Sequence, residues 1–483
     1  MTRSFRIITL SVFVFLIVGT CQWAIAQEDS SPVASQTEQV STQQEAQPAI
    51  FHPAGRVISP ETNFVRPEEG PFRAHTNVEI FVPQGRAMSS ILPDYTFAET
   101  PASMGCVYKV STNFAGCNPK SGYKYHPAGG WGAIALVDAY DNPNAANDLA
   151  YFSTYWGLSK ANFTKVYANS SFGVLNGLTA SCSGTPPANV GWGVEEDLDI
   201  QWAHVFAPSA KIILVEACSN SYNDLLYAEQ VAGIQVKAAG GGAISNSWQG
   251  SEYSYQLGPS GWDNYFYRYY YDHITYFASS GDYGYGVGFP STVPWVISAG
   301  GTTINRDVNG NFLSESCWSG SGGGPSAIET WADPDLAPGG KNNAIFYGMG
   351  PWVDYQYPLF GGFPYGAAPR VTPDIALDAD PNSGAWVYDT YGYSGWLIVG
   401  GTSLSSPALA GIINSANNRL GQTPSGGGKY TPEELSLLYS QLYTKTAYGV
   451  NFYDVITGSN GVAAGPGYDR CTGIGTPRGK LGK

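Results

Sequence analysis

Residues 401–407, Gly401-Thr402-Ser403-Leu404-Ser405-Ser406-Pro407, follow the apolar run Trp396-Leu397-Ile398-Val399 and lead into the buried-helix pattern of residues 407–413. A serine at such a strand-to-helix junction sits near free helix N–H groups, whose dipole favours developing negative charge. The glycines before it let a second backbone approach closely. That is the setting a nucleophilic hydroxyl needs, although the same residues also make an ordinary helix cap.

Two further segments carry groups that could serve such a nucleophile. Residues 192–206 read as one amphipathic helix ended by Pro208, with Val194, Leu198, Trp202 and Val205 facing inward. Glu195 and Asp199, four apart, stack on one face about one turn from each other. Two carboxylates so close favour sharing a proton, which raises one pKa and prepares an acid/base pair. The plainer reading is an acidic first turn that complements the helix dipole. Asp282, in Ser279-Ser280-Gly281-Asp282, lies just past an apolar strand in a Gly-rich turn. Parallel α/β sheets bind ligands at that end of their strands, though an Asp there can be only a turn-former.

Taken in order, Glu195-x-x-x-Asp199, Ser280-Gly281-Asp282 and Gly400-Gly401-Thr402-Ser403-x-x-x-Pro407 resemble the sedolisin family of serine-carboxyl peptidases. Phe289-Pro290-Ser291-Thr292-Val293-Pro294-Trp295 also matches, as does Phe452-Tyr453-Asp454-Val455 followed by Gly465-Pro466-Gly467-Tyr468-Asp469. The likeness runs from about residue 100 to the end. It implies an α/β, subtilisin-like fold: a parallel β-sheet flanked by helices on both faces. It also implies hydrolysis of peptide or protein substrates at acidic pH. Ser403 would be the nucleophile, Glu195 its base and Asp199 the residue holding Glu195 in place. Asp282, kept protonated, would donate to the oxyanion beside the Ser403 N–H. One structural Ca2+ would be held by the carboxylates of Asp454 and Asp469 and the carbonyls of Val455, Gly465 and Gly467. The alternative is a catalytically silent peptide- or glycan-binding protein on the same fold.

Subtilisin proper is the neighbouring reading, since Val137-Asp138 after a strand resembles the position of its catalytic aspartate. None of the five histidines (His52, His75, His126, His204, His273) is followed by Gly-Thr, as that family's base would be. His204 points to a different side of the helix from Asp199 and reads as a core or surface histidine. A one-residue shift would put Glu196 in place of Glu195, but only Glu195 has the four-residue spacing to Asp199.

The elements that must position these groups alternate along the chain. Residues 133–137, 211–215, 243–245, 275–278 and 295–298 are apolar strands, separated by helices over 144–155, 192–206 and 224–236. Continuous apolar strands with helices between them imply a parallel sheet covered on both faces. The stretch 245–250, Ser245-Asn246-Ser247-Trp248-Gln249-Gly250, and the Gly-rich stretch 319–324 are expected to line a cleft where an extended peptide adds as a strand.

At its start the chain has Arg3 and Arg6, an apolar run from 7 to 18, and Ala24-Ile25-Ala26 before Gln27. That reads as a signal peptide over 1–26, too short for a stable membrane span. Residues 27–100 read as a linker and short N-terminal region, with one strand at Val78-Glu79-Ile80-Phe81-Val82, and 101–483 as the peptidase-like domain. These peptidases usually carry a longer folded propeptide than the roughly 75 residues between the signal and the catalytic match. Six cysteines remain after the leader: Cys106, Cys117, Cys182, Cys218, Cys317 and Cys471. An even number in an exported chain suggests three disulfides, for which neighbour pairing is the least demanding choice. Without a Cys-x-x-Cys pair, zinc is not expected. A net charge of −14 without basic clusters argues against nucleic acid as a partner. A secreted monomer, with no membrane attachment after signal cleavage, is expected.

Overall fold

Strands that are apolar on both faces need cover on both faces, and the fold supplies it. The computed structural model describes residues 49–94, 97–257, 260–267, 273–330, 369–419, 431–443 and 445–483. The expected signal peptide and nearly all of the expected linker lie outside the described residues. Pro48–Lys483 forms one compact unit.

Its elements begin with β1 (Gly55–Ile58), β2 (His75–Thr76), β3 (Glu79–Pro83) and α1 (Pro101–Val107). An alternating part follows: β4 (Ala133–Ala139), α2 (Ala145–Trp156), β5 (Asn162–Ala168), α3 (Val190–Phe206), β6 (Lys211–Ala217), α4 (Tyr222–Ala238) and β7 (Gly242–Asn246). Next come β8 (Trp248–Gln249), α5 (Asn264–Tyr267), β9 (Ile274–Ser279), β10 (Ile297–Arg306), β11 (Phe312–Cys317), β12 (Gly324–Thr330) and β13 (Pro369–Thr372). The chain continues through β14 (Ile375–Asp378), β15 (Ala385–Asp389), β16 (Gly395–Gly400), α6 (Thr402–Arg419), α7 (Thr431–Ser440), α8 (Lys445–Asn451), β17 (Phe452–Tyr453) and β18 (Thr476–Pro477).

The central sheet has the order β11-β10-β9-β7-β4-β6-β5, with β14 beside β10. All its pairings are parallel except that of β10 with β11. After β4 the chain first places β5 at the edge and then β6 between β5 and β4, and afterwards adds β7, β9 and β10 on the other side of β4. The carboxyl end of β4 is therefore a point where the strand order diverges, and a crevice opens there. α3 packs along α6, and both contact the sheet.

A second sheet, β1-β3-β16-β15, is antiparallel throughout. It joins the N-terminal region to the strand before Ser403: Ile80 pairs with Val399 and Glu79 with Gly400. Disulfides link Cys106–Cys117, Cys182–Cys218 and Cys317–Cys471, the neighbour pairing.

One expectation needs correction. α3 is not amphipathic, because every residue from 192 to 206 is buried, including Glu195, Glu196, Asp197, Asp199 and His204. A helix covered all round has no solvent face for polar residues to occupy. Its carboxylates are pointed instead at neighbouring elements, and that gives them their chemistry.

Candidate active site

The Asn189 side chain caps α3 by accepting the Trp192 N–H at 3.1 Å, which fixes the start of the helix and hence the direction of its first turns. Glu196 turns toward β6, where its carboxylate accepts the Asn142 N–H at 3.1 Å and lies against Glu216. Asp197 turns to a third side and accepts from the Asn142 amide at 2.8 Å. Glu195 and Asp199 face α6 and the crevice. The two neighbouring glutamates are thus separated by environment, and Glu195 is the one beside Ser403. His204, on the same helix, places its Nε2 2.8 Å from the Ser159 carbonyl.

Ser403 stands at the first turn of α6 and is fully buried. Its Oγ donates to the Ser247 carbonyl at 3.2 Å, in the stretch after β7. The Ser247 hydroxyl in turn donates to Asp199 Oδ1 at 2.7 Å. Neither oxygen of Glu195 has a well-formed hydrogen bond among the described residues. Burial raises the Glu195 pKa well above its ordinary value, and the nearby Ser403 hydroxyl and Asn77 N–H offset only part of that rise. Rotation of the Ser403 side chain from Ser247 toward Glu195 is all that a nucleophile–base contact requires.

Asp282 occupies the turn after β9. Its Oδ1 accepts from both the N–H and the hydroxyl of Thr402, each at 2.8 Å, while Oδ2 has no partner among the described residues. This fastens one carboxyl oxygen to the start of α6 and leaves the other free beside Ser403. Gly401, at φ +101°, makes that approach possible: a Cβ here would stand 2.6 Å from Asp282 Oδ2.

The electrostatics favour neutral carboxyls. Burial pushes Asp282 well above the usual carboxylate range, against the two Thr402 hydrogen bonds. Burial also raises Glu195 and Asp199, and Asp138 beside them raises both further. Asp138, at the carboxyl end of β4, is pushed by burial to about 8, with no hydrogen-bond partner on either oxygen among the described residues. Three mutually close acids, none ion-paired among the described residues, favour sharing protons.

The stretch 245–250 does line the crevice, through Ser247 and through β8, which takes β2 as an antiparallel partner. In the stretch 319–324, the Gly322 N–H donates to the Gly281 carbonyl at 2.7 Å, propping the turn that carries Asp282. The role of Ser247 was not legible in the sequence, because a serine after a strand carries no signal of what its carbonyl will meet.

In the C-terminal region, Asp454 accepts the Gly467 N–H at 3.0 and 3.1 Å, and Asp469 Oδ2 accepts the Gly465 N–H at 3.1 Å. These bonds tie Gly465 and Gly467 to the two carboxylates; Asp454 also accepts from the Tyr448 hydroxyl, and Asp469 Oδ1 from the N–H groups of Cys471 and Thr472. The carbonyls of Val455, Gly465 and Gly467 accept no hydrogen bond among the described residues. Two carboxylates and three uncommitted carbonyls form an all-oxygen donor set, which suits a hard cation. Elsewhere, Asp148, Asp197 and Asp389 bring carboxylate oxygens within 4.8 Å of one another.

With this geometry established, a family model, Peptidase_S8, matches residues 191–475. The chain belongs to the subtilase family. Its relatives within that family carry the sedolisin likeness. Kumamolisin of Bacillus sp. (strain MN-32) is 29% identical over 366 residues, spanning 72% of this chain and 58% of its own length. Xanthomonalisin of Xanthomonas sp. (strain T-22) is 34% identical over 199 residues, 40% of this chain and 21% of its own length. The chain thus matches less than two thirds of either relative. The solved structure of Pseudomonas sedolisin, a serine-carboxyl proteinase complexed with two molecules of pseudo-iodotyrostatin, superposes with a TM-score of 0.57. It is 22% identical and covers 80% of this chain and 96% of that one, so the subtilisin-like fold is shared.

Proposed function

We propose that this chain is a serine-carboxyl peptidase that hydrolyses peptide bonds in acid. What carries the reading is Asp282, a carboxyl held near neutral by burial, tied to Thr402 by one oxygen and free on the other, beside the Ser403 N–H. A protonated carboxyl there can donate to a tetrahedral oxyanion; an ionised one would repel it.

The steps follow from the positions. Ser403 Oγ attacks the substrate carbonyl carbon and gives its proton to Glu195. Asp199 holds Glu195 in its protonation state and is itself oriented by the Ser247 hydroxyl. The oxyanion is received by the Ser403 N–H and Asp282. Collapse breaks the C–N bond as Glu195 returns the proton to the leaving amine, and water then hydrolyses the acyl-serine by the same route. A carboxylate base suits acid because an imidazole would already be protonated.

Calcium belongs to the same reading, held by Asp454, Val455, Gly465, Gly467 and Asp469. Bound there it would supply positive charge between two carboxylates and fix the loop that ends at the Cys317–Cys471 disulfide. The leader-like residues 1–26 and the three disulfides support export into an oxidising compartment.

The test is covalent capture. After incubation in acid, a peptide aldehyde should modify Ser403, located by mass spectrometry, and the modification should be absent from Ser403→Ala. Labelling of another residue, or none while an added peptide is being cut, would remove Ser403 from its assigned role.

A further inference from the structure

Glu195 is aimed by the helix that carries it, and the side of α3 turned away from Ser403 is braced by one residue. At about 100° per residue, Gly193 and Asp197, two positions to either side of Glu195, come round to the far side of the helix, with Glu196 beside them. Asn142 meets all three. Its side-chain amide donates to the Gly193 carbonyl at 3.0 Å and to Asp197 Oδ2 at 2.8 Å, and its backbone N–H donates to Glu196 Oε2 at 3.1 Å. Asn142 is fully buried, and its remaining polar atoms are engaged as well. Its Oδ1 accepts the Asn144 N–H at 2.9 Å, and its carbonyl accepts from Lys165 Nζ at 2.7 Å.

The turn that delivers Asn142 is itself held from several sides. Tyr140, at φ +75°, bends the chain just beyond β4 in a left-handed conformation that bulky side chains rarely adopt. Such a conformation persists where the surroundings over-determine it. Here the Asp141 N–H donates to the Pro187 carbonyl at 3.1 Å, and the Asn189 N–H donates to the Asp141 carbonyl at 3.3 Å. The turn is thereby tied to the segment that caps α3. Lys165, on β5, donates to Asp141 Oδ1 at 2.5 Å as well as to the Asn142 carbonyl, and it pairs with Glu216 at 3.1 Å. Glu216 Oε1, on β6, shares the Asn142 N–H at 3.3 Å. Residue 142 is thus fixed by two strands and in turn grips the helix. An amide suits this place because it offers two donors to two acceptors.

We propose that Asn142 is a positioning residue that sets the rotation of α3 about its axis, and with it the aim of Glu195 at Ser403, and that Lys165 is its anchor. This rests on the peptidase reading above. Neither residue touches the substrate or carries a proton; both act through the helix. Without the Asn142 amide, the Gly193 carbonyl and Asp197 Oδ2 lose the donor that ties them to the end of β4. Asp197 then keeps only the Gln201 amide, at 3.4 Å, among the described residues. The Glu195 carboxyl rides about 6 Å from the helix axis, so a turn of about 10° displaces it by about 1 Å. A displacement of that size can cost about a hundredfold in rate.

The experiment measures kcat and KM on a peptide substrate at about pH 4 for the full chain and three variants, with folding at the assay temperature checked by circular dichroism. Asn142→Ala is expected to lower kcat at least about tenfold with KM little changed. Lys165→Met, which frees the Asn142 carbonyl but leaves its amide in place, should lower kcat by a smaller factor. Asn142→Asp is the rescue: protonated, its carboxyl keeps one of the two donors, so in acid its kcat should exceed that of Asn142→Ala. As pH rises that donor is lost, against Glu196 and Asp197 on α3, Glu216 on β6 and Asp148 and Asp389 behind Asp197, with Lys165 opposing. The advantage over Asn142→Ala should then disappear. A role in stability alone would leave the ratio of kcat between the two folded variants independent of pH. Hydrolysis by folded Asn142→Ala at the unmodified kcat overturns the proposal and leaves the peptidase reading standing. Where Asn142→Ala does not fold, an unmodified kcat in Lys165→Met overturns it. No hydrolysis by the unmodified chain overturns the peptidase reading and this proposal with it.

Discussion

Glu195, Glu196, Asp197 and Asp199 are four acids within five positions of one helix, and their fates differ by what each side of the helix meets. Glu196 faces Asn142 and Glu216, Asp197 faces the Asn142 amide, and Glu195 and Asp199 face the serine. Spacing alone placed Glu195 and Asp199 on one face. It gave no warning that Asp138 sits with them, because that contact depends on where β4 ends against α3. Ser403→Ala and Glu195→Gln should each lower peptide hydrolysis by at least a thousandfold, since nucleophile and base act as one unit. At Asp282, Asn keeps a donor for the oxyanion and Ala does not. Asp282→Asn should therefore retain more of kcat than Asp282→Ala, with the single lost donor worth roughly a hundredfold. Steady-state kinetics on folded variants, checked by circular dichroism, measure all four.

Elements set what those residues can reach. The parallel strands were legible because Ala133-Ile134-Ala135-Leu136-Val137 and Lys211-Ile212-Ile213-Leu214-Val215 have no polar face, and only a sheet covered on both sides accepts such runs. The antiparallel sheet β1-β3-β16-β15 was not legible as a sheet. A single strand at residues 78–82 shows nothing of its partner, and its pairing with β16 joins segments more than 300 residues apart. The amphipathic reading of residues 192–206 failed for a related reason: apolar spacing marks the side that must be buried but does not mark the other side as exposed. The C-terminal loop belongs to this scale as well. If calcium occupies it, chelator should lower the melting temperature, since an ion bound only to the native state stabilises by about 3 kcal/mol at a hundredfold excess over its dissociation constant. Asp469→Ala should melt at the same temperature with and without chelator. Equal melting of the unmodified chain in calcium and in chelator would take calcium out of the loop.

At the scale of the whole molecule, the described residues pair some buried acids with cations, as Arg306 with Glu99 and Arg370 with Asp374, and bury others with no ion pair among the described residues. Burial pushes Asp138 and Glu229 up to about 8 and Asp389 to about 6, and it raises Asp199, Glu195 and Asp282 as well. Because each folded pKa lies above its unfolded value, the native state keeps protons that the unfolded chain releases. These groups therefore contribute most to stability below about pH 4 and less as pH rises toward 8, while His75, His126 and His204, whose pKa burial lowers, act in the opposite sense as pH falls. Exposed acids with lowered pKa, such as Asp94 and Asp307, oppose this weakly because solvent screens them. The melting temperature of Ser403→Ala should fall by on the order of 10 °C between pH 4 and pH 8. A melting temperature that rises over that interval would mean these acids are ionised and paired in the native state.

The measurement that bears most directly on serine-carboxyl catalysis is the pH dependence of kcat/KM on a peptide substrate, taken from acid to alkaline pH. Activity needs Asp282 protonated and the Glu195–Asp199 pair partly ionised, so the profile should be bell-shaped, with its maximum below about pH 6 and a falling alkaline limb. On Asp282→Asn, whose amide does not titrate, the alkaline limb should shift or flatten. A rate that keeps climbing through about pH 8, as a neutral imidazole base would give, contradicts the assignment of Glu195 and Asp282.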